Sequence, residues 1–184
     1  MTANAVSTYE ALSRLLTYPD ADYAEFAQQL PAVLAEADPE ASSALEPFVV
    51  GIRELSLTEL QELFTRTFDL SPACSLEVGW HLFGEEYARG AFMVSIRERL
   101  RRCGVAENGE LPDHLTHILR LADAVDADER GKLVGTFMLP AIAKMLKAFE
   151  GKSNPYGDLV QTIAGVLERT PGAEQAQKEL VGHG

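Results

Sequence analysis

The chain has 184 residues, 46% of them apolar and 24% charged, a balance that suits one folded core and excludes a disordered or low-complexity chain. Lys+Arg number 16 and Asp+Glu 28, so the formal charge is −12 and the pI about 4.7. A surface this acidic repels phosphate backbones and anionic membranes, which argues against nucleic acid and stable membrane insertion and favours a basic partner. The excess is lopsided: residues 1–96 carry 4 basic and 15 acidic side chains, net −11, whereas residues 97–184 carry 12 and 13, net −1.

Leu and Ala, 24 each against 12 Val and 5 Ile, favour helix, and no clear period-2 run marks a strand. Ser7-x-x-Glu10 reads as a capping box before Tyr9, Leu12, Leu15 and Leu16 on one helical face. Tyr18-Pro19-Asp20 ends that helix. The next carries Tyr23, Phe26, Leu30, Val33 and Leu34, with Pro31 expected to kink or divide it. A third carries Leu45, Phe48, Val49 and Ile52. Ser56-x-x-Glu59 is a second capping box, opening a helix with Leu60, Leu63, Phe64 and Phe68. After a break over 69–74, Ser75 is expected to cap a helix from Leu76 to Phe83. Gly84 interrupts, and a long helix from Glu85 to Cys103 stops at Gly104. A polar loop, Gly104 to Asp113, precedes helices at His114–Val125, at Glu129–Phe149 with a kink near Pro140, and at Asn154–Leu167, where Asn154-Pro155 supplies the N-cap and first position. The expected fold is all-α: a single globular bundle of about eight to ten helices over residues 1–170, with a flexible tail over 171–184.

No apolar run approaches the ~18 residues of a membrane span. The N-terminus lacks a basic start, a continuous apolar core and a small-residue cleavage site, so a cytoplasmic protein is expected. Two cysteines, Cys74 and Cys103, make no disulfide framework or metal knuckle and read as buried or half-buried thiols in a reducing compartment.

The common catalytic motifs are absent: no glycine-rich phosphate loop, no His-Glu-x-x-His and no Gly-x-Ser-x-Gly. His114 and His117, at i and i+3 beside Asp113, have the spacing of a metal pair but lack further ligands. A Cys–His nucleophile would need His81 or His114 beside Cys74 or Cys103. Two stretches stand out. Residues 68–90 hold Trp80, Phe83 and Tyr87 at spacings that share a helical face, beside the acidic pair Glu85-Glu86. They read either as core aromatics with a solvated turn, or as an aromatic, acid-rimmed groove for a basic or amphipathic peptide. Residues 110–115, ELPDHL, read either as helix-start chemistry or as a carboxylate–imidazole binding motif at the end of the longest loop.

Phe64 to Leu70 (FTRTFDL), Ser75 to Gly84 (SLEVGWHLFG), Arg89-Gly90, Glu110 to Leu115 (ELPDHL), Leu139-Pro140 and Asn154-Pro155-Tyr156 form a set. In order and spacing it resembles the molybdoenzyme maturation chaperones of the nitrate reductase delta-chain (NarJ) type, within the wider TorD/DmsD group. The resemblance spans about residues 8–167. ELPDHL is similar to the Glu-Pro-x-Asp-His motif of that group, and the Leu before Pro112 points to the delta-chain branch.

The resemblance implies a cytoplasmic, non-catalytic, all-helical chaperone with no cofactor of its own. Its partner would be the catalytic, molybdopterin-binding subunit of a molybdenum oxidoreductase, engaged through an N-terminal or twin-arginine segment until the cofactor is inserted. Cofactor-delivery proteins are further partners, and a monomer or a dimer, domain-swapped about Pro72 or the 104–113 loop, is compatible. Glu110, Pro112, Asp113 and His114 carry over from the motif as peptide-binding residues. Chemistry adds Asp69, Trp80, Phe83, Glu85, Glu86, Tyr87 and His117. Carboxylates such as Asp69, Glu85, Glu86 and Asp113 would meet arginines, the aromatic groove an apolar helix, and His114 would titrate near neutrality and tune binding. A helical metal-binding protein or enzyme using His114 and His117, and a structural subunit of the mature oxidoreductase, are the alternatives.

Overall fold

The structure, a computed structural model, describes residues 7–181; residues 1–6 of the expected domain and 182–184 of the expected tail lie outside them. Helix α1 (Thr8–Leu15) starts at Ser7, whose hydroxyl accepts from the Glu10 amide at 3.1 Å, and it buries Leu12 and Leu15. Helix α2 spans Tyr23–Leu34 without division, so Pro31 does not split it. The Pro31 carbonyl accepts the Ser42 hydroxyl of the next helix at 2.8 Å. Helix α3 (Pro39–Ile52) comes next, and α4 (Leu57–Phe64) opens on a complete capping box: the Ser56 hydroxyl accepts from the Glu59 amide while the Glu59 carboxylate accepts from the Ser56 amide.

A π-helical turn, Thr65–Asp69, extends α4, and the 3-10 turn Pro72–Cys74 fills the break. Helix α5 is shorter than expected, Val78–Phe83, and Glu77 rather than Ser75 stands at its N-cap. The reason is tertiary. Leu76 and Glu77 are drawn into an antiparallel bridge with His114, in which the Leu115 amide donates to the Leu76 carbonyl (2.7 Å) and the Val78 amide to the Asp113 carbonyl (2.8 Å). Gly84, at φ 58°, ends α5, and α6 runs Tyr87–Cys103 to a left-handed Gly104.

Helix α7 is Leu115–Ala124, α8 Ala127–Leu133, and α9 Leu139–Phe149, the last two joined through a π segment, Val134–Met138. Helix α10, Pro155–Glu168, is capped by Asn154, whose side chain accepts from the Tyr156 amide at 3.0 Å. With α8 and α9 continuous, ten helices are present among the described residues and no strand. One core unites them: Leu12, Leu15, Tyr23, Phe48, Ile96, Ile118, Ile142, Tyr156 and Leu159 are all within it. Helix α10 lies against α3 and α9, and α1 against α7.

Among the described residues, part of the expected tail is helical. Helix α11 (Ala173–Val181) packs on α8 and the π segment, with Ala173 wholly buried. Gly131 and Gly135 open its seat: a Cβ on Gly131 would lie 2.7 Å from the Pro171 carbonyl, and one on Gly135 would strike that of Ala173.

Candidate functional site

A cleft of about 1010 Å³ opens between α1, the π turn after α4, the Glu77–His114 bridge and the start of α7. That is at the upper end of the range for drug-sized ligands, with room for several residues of a peptide. Its apolar lining comes from Leu16, Tyr18, Phe64, Phe68, Leu76, Trp80 and Leu111. Phe64 and Phe68 sit edge-on to each other and to Tyr156, which fixes them as the rigid back wall. Trp80, half-buried, donates its indole N–H to the Pro72 carbonyl at 2.9 Å, so the 3-10 turn holds its ring.

Charge is arranged unequally around this lining. Glu10, Asp20, Asp69 and Glu110 are exposed at the cleft and have no ion-pair partner among the described residues. Its three arginines are already engaged. Arg14 stacks 3.9 Å over the Phe26 ring, Arg120 donates to the carbonyls of Ala106 and Thr116, and Arg89 is tied to Asp113 at 3.0 Å. The cleft therefore offers free carboxylates beside apolar surface, the complement of a basic, apolar segment.

Behind the rim lies a buried polar seam. Asp113 is fully buried: one carboxylate oxygen accepts from Arg89, and the other, Oδ1, has no hydrogen-bond partner. Arg89 lies in turn 5.9 Å from the Trp80 ring centroid. His114 is the N-cap of α7; its Nδ1 accepts from the Thr116 amide and hydroxyl. His117 joins the polar loop to α7, donating to the Leu111 carbonyl at 2.9 Å and accepting from the Asn108 amide at 3.1 Å. Burial pushes the His114 imidazole down to about 4, against a raising influence from Glu77, so it is neutral near pH 7 rather than poised to titrate there. Burial lowers His117 as well. With both nitrogens of His117 bonded to backbone, the pair is not arranged as two free metal ligands.

The family model described as "Nitrate reductase delta subunit" matches residues 20–160. The chain belongs to this nitrate reductase delta subunit family. It is also 28% identical over 156 residues to the "Nitrate reductase-like protein NarX" of two Mycobacterium tuberculosis strains, CDC 1551 / Oshkosh and ATCC 25618 / H37Rv. Those matches cover 84% of this chain but 23% of the relatives, so the chain spans about a quarter of their length. A third relative, the "Probable nitrate reductase molybdenum cofactor assembly chaperone NarJ" of Bacillus subtilis (strain 168), is 26% identical over 177 residues, 92% of this chain and 96% of its own.

Within this delta-subunit chain the sequence-derived site residues divide into three groups. Asp69, Trp80, Glu110 and His114 line the cleft together. Pro112, Asp113 and His117 are buried behind it and hold its wall. Phe83, Glu85, Glu86 and Tyr87 lie away from it: Phe83 packs on Phe92 at 5.5 Å, and Tyr87 is 93% exposed. The expectation that Trp80, Phe83 and Tyr87 share one helical face is corrected by Gly84, whose positive φ ends α5 and starts Tyr87 on a new helix. Sequence reasoning missed the wall made by α1 and the turn after it, Glu10, Arg14, Thr17, Tyr18 and Asp20, because only the packing of α1 on α7 brings it to the site. Arg89 did carry a signal, standing beside Gly90 in the segment set.

Proposed function

We propose that this delta-subunit family member is a non-enzymatic assembly chaperone. It holds the N-terminal segment of a molybdenum oxidoreductase catalytic subunit in the cleft until the molybdenum cofactor is inserted. The observation that carries the reading is the four exposed carboxylates, Glu10, Asp20, Asp69 and Glu110, without ion-pair partners among the described residues, around an apolar lining that includes Trp80. Arginines of a twin-arginine leader or its remnant would pair with the rim, and the apolar stretch would lie against Trp80, Phe64 and Phe68. Family membership supports the reading, as does the printed name of the Bacillus relative, which assigns that protein to cofactor assembly for nitrate reductase. Holding a segment makes and breaks no covalent bond, so the residues required are those of recognition.

Calorimetric titration of the chain with the N-terminal peptide of a molybdopterin-binding catalytic subunit from the same organism tests the reading. Binding is expected, weakening as salt rises. Trp80→Ala should weaken it at least tenfold, as loss of a central aromatic anchor does. Absence of peptide binding, together with unchanged cofactor content of the subunit when the chain is deleted, sinks the proposal.

A further inference from the structure

The outward face of α6 is unpartnered among the described residues. The helix turns Phe92, Ile96 and Leu100 into the core. On the other side, Tyr87, Ala91, Val94, Glu98 and Arg101 recur at alternating spacings of four and three, the pattern of a two-helix seam, and all five are exposed. Tyr87 is 93% exposed and Val94 58%, large apolar surface for a face left in water. Gly90 stands between them, with nothing within 4 Å of where a side chain would begin. The two ends of this face carry opposite charge. Glu85 and Glu86 are exposed at the N-terminal end, Arg101 and Arg102 at the C-terminal end. Glu85, Glu86 and Arg101 have no ion-pair partner among the described residues, while Arg102 shares Glu129 with Arg99.

We propose that a second copy of this chain docks here, α6 on α6, antiparallel about a twofold axis through Val94. In that register Val94 meets its own counterpart. Tyr87 of each copy packs on Arg101 of the other, a cation–π contact, and Glu86 faces Arg102 and reaches Arg101. Gly90 leaves room for the Glu98 side chain. The Val94 contact lies on the axis and occurs once, and every other contact occurs twice, as an isologous interface requires. The charge order selects the occupant. A face acidic at one end and basic at the other is complementary to itself once reversed, whereas a wholly basic segment would suit only one end. One helix against one helix is a small interface, so the dimer is weak and concentration-dependent. Trp80 and Arg89 point to the cleft and stay outside the seam, so pairing and peptide binding are separable.

Sedimentation equilibrium across micromolar to millimolar concentration tests this. The apparent mass should rise from that of one 20.1 kDa chain toward that of two. Val94→Arg should hold the chain monomeric at every concentration while leaving its circular dichroism and peptide affinity unchanged. Glu86→Arg should weaken pairing at least fivefold, and adding Arg101→Glu in the same chain should restore it. Val94→Cys should cross-link across the axis under mild oxidation, whereas the parent chain, with Cys74 buried and Cys103 half-buried, should not. A chain that stays monomeric throughout, or a dimer indifferent to Val94→Arg, overturns the proposal.

Discussion

Glu110 and Asp113 stand three residues apart in one loop, and water separates their roles. Glu110 is exposed at the mouth of the cleft with no ion-pair partner among the described residues. Asp113 is wholly buried, with one oxygen committed to Arg89 and the other without a partner. A solvated carboxylate can exchange water for an incoming guanidinium at little cost, whereas a buried one is part of the structure that holds it. On the proposed reading the rim is where a guest charge would be met, and the seam is what would keep the rim in place. The motif residues carried over from the family resemblance fall on both sides of that line.

The comparison breaks most visibly at Arg89. Arg89→Ala leaves the Asp113 carboxylate buried without its cation, and unfolding in urea should show a loss of about 4 kcal/mol. Replacing both partners, Arg89→Met with Asp113→Leu, should recover most of that loss. If the single variant is as stable as the parent, the seam is not a structural lock.

A second test uses pH. His114 has a folded-state value of about 4, below its unfolded value near 6.5, because burial disfavours the charged ring. Between those values the unfolded chain binds more protons, so stability is intact above pH 6.5 and falls as pH drops toward 4. The expected loss from this residue is about 3 kcal/mol. His81 and His117 are lowered by burial too and add to it in the same direction. His114→Asn keeps a capping oxygen and should flatten the slope, while peptide affinity stays level from pH 7 to 8. A binding profile centred near pH 6.5 would return His114 to the role of a titrating contact.

The smallest effects belong to the rim. Glu110→Gln and Asp69→Asn should each change the unfolding free energy by less than about 0.5 kcal/mol. Each should weaken a basic peptide by roughly 0.2–1 kcal/mol at low salt, a difference that fades at high salt. Calorimetry at two ionic strengths separates this from a structural effect. Equal losses at both salts would mean that the rim acts by shape.

Local chemistry makes most of the helices legible. Ser7, Ser56 and Asn154 cap where their side chains predict, Gly84 and Gly104 interrupt where their backbone freedom predicts, and Leu12, Leu15, Phe48 and Ile52 bury the faces that their spacing defines. Ser75 fails as a cap because pairing with His114 claims residues 76 and 77 first. Helix α11 is hidden in the sequence because Pro171 and Gly172 look like a frayed exit, and only the groove opened by Gly131 and Gly135 on another element gives that helix a seat. The charge imbalance points to the correct half of the chain for the rim, since Glu10, Asp20 and Asp69 lie there, but it marks Glu85 and Glu86 equally, and they lie elsewhere.

The sequence by itself determined an acidic, all-helical chain and the family segments within it, because capping, periodicity and net charge are written in near neighbours. Only the tertiary structure decided which acidic residues are free. That choice depends on which side chains reach a partner across the fold: Arg89 reaches Asp113 from 24 positions away, and no such cation stands beside Asp69 or Glu110 among the described residues.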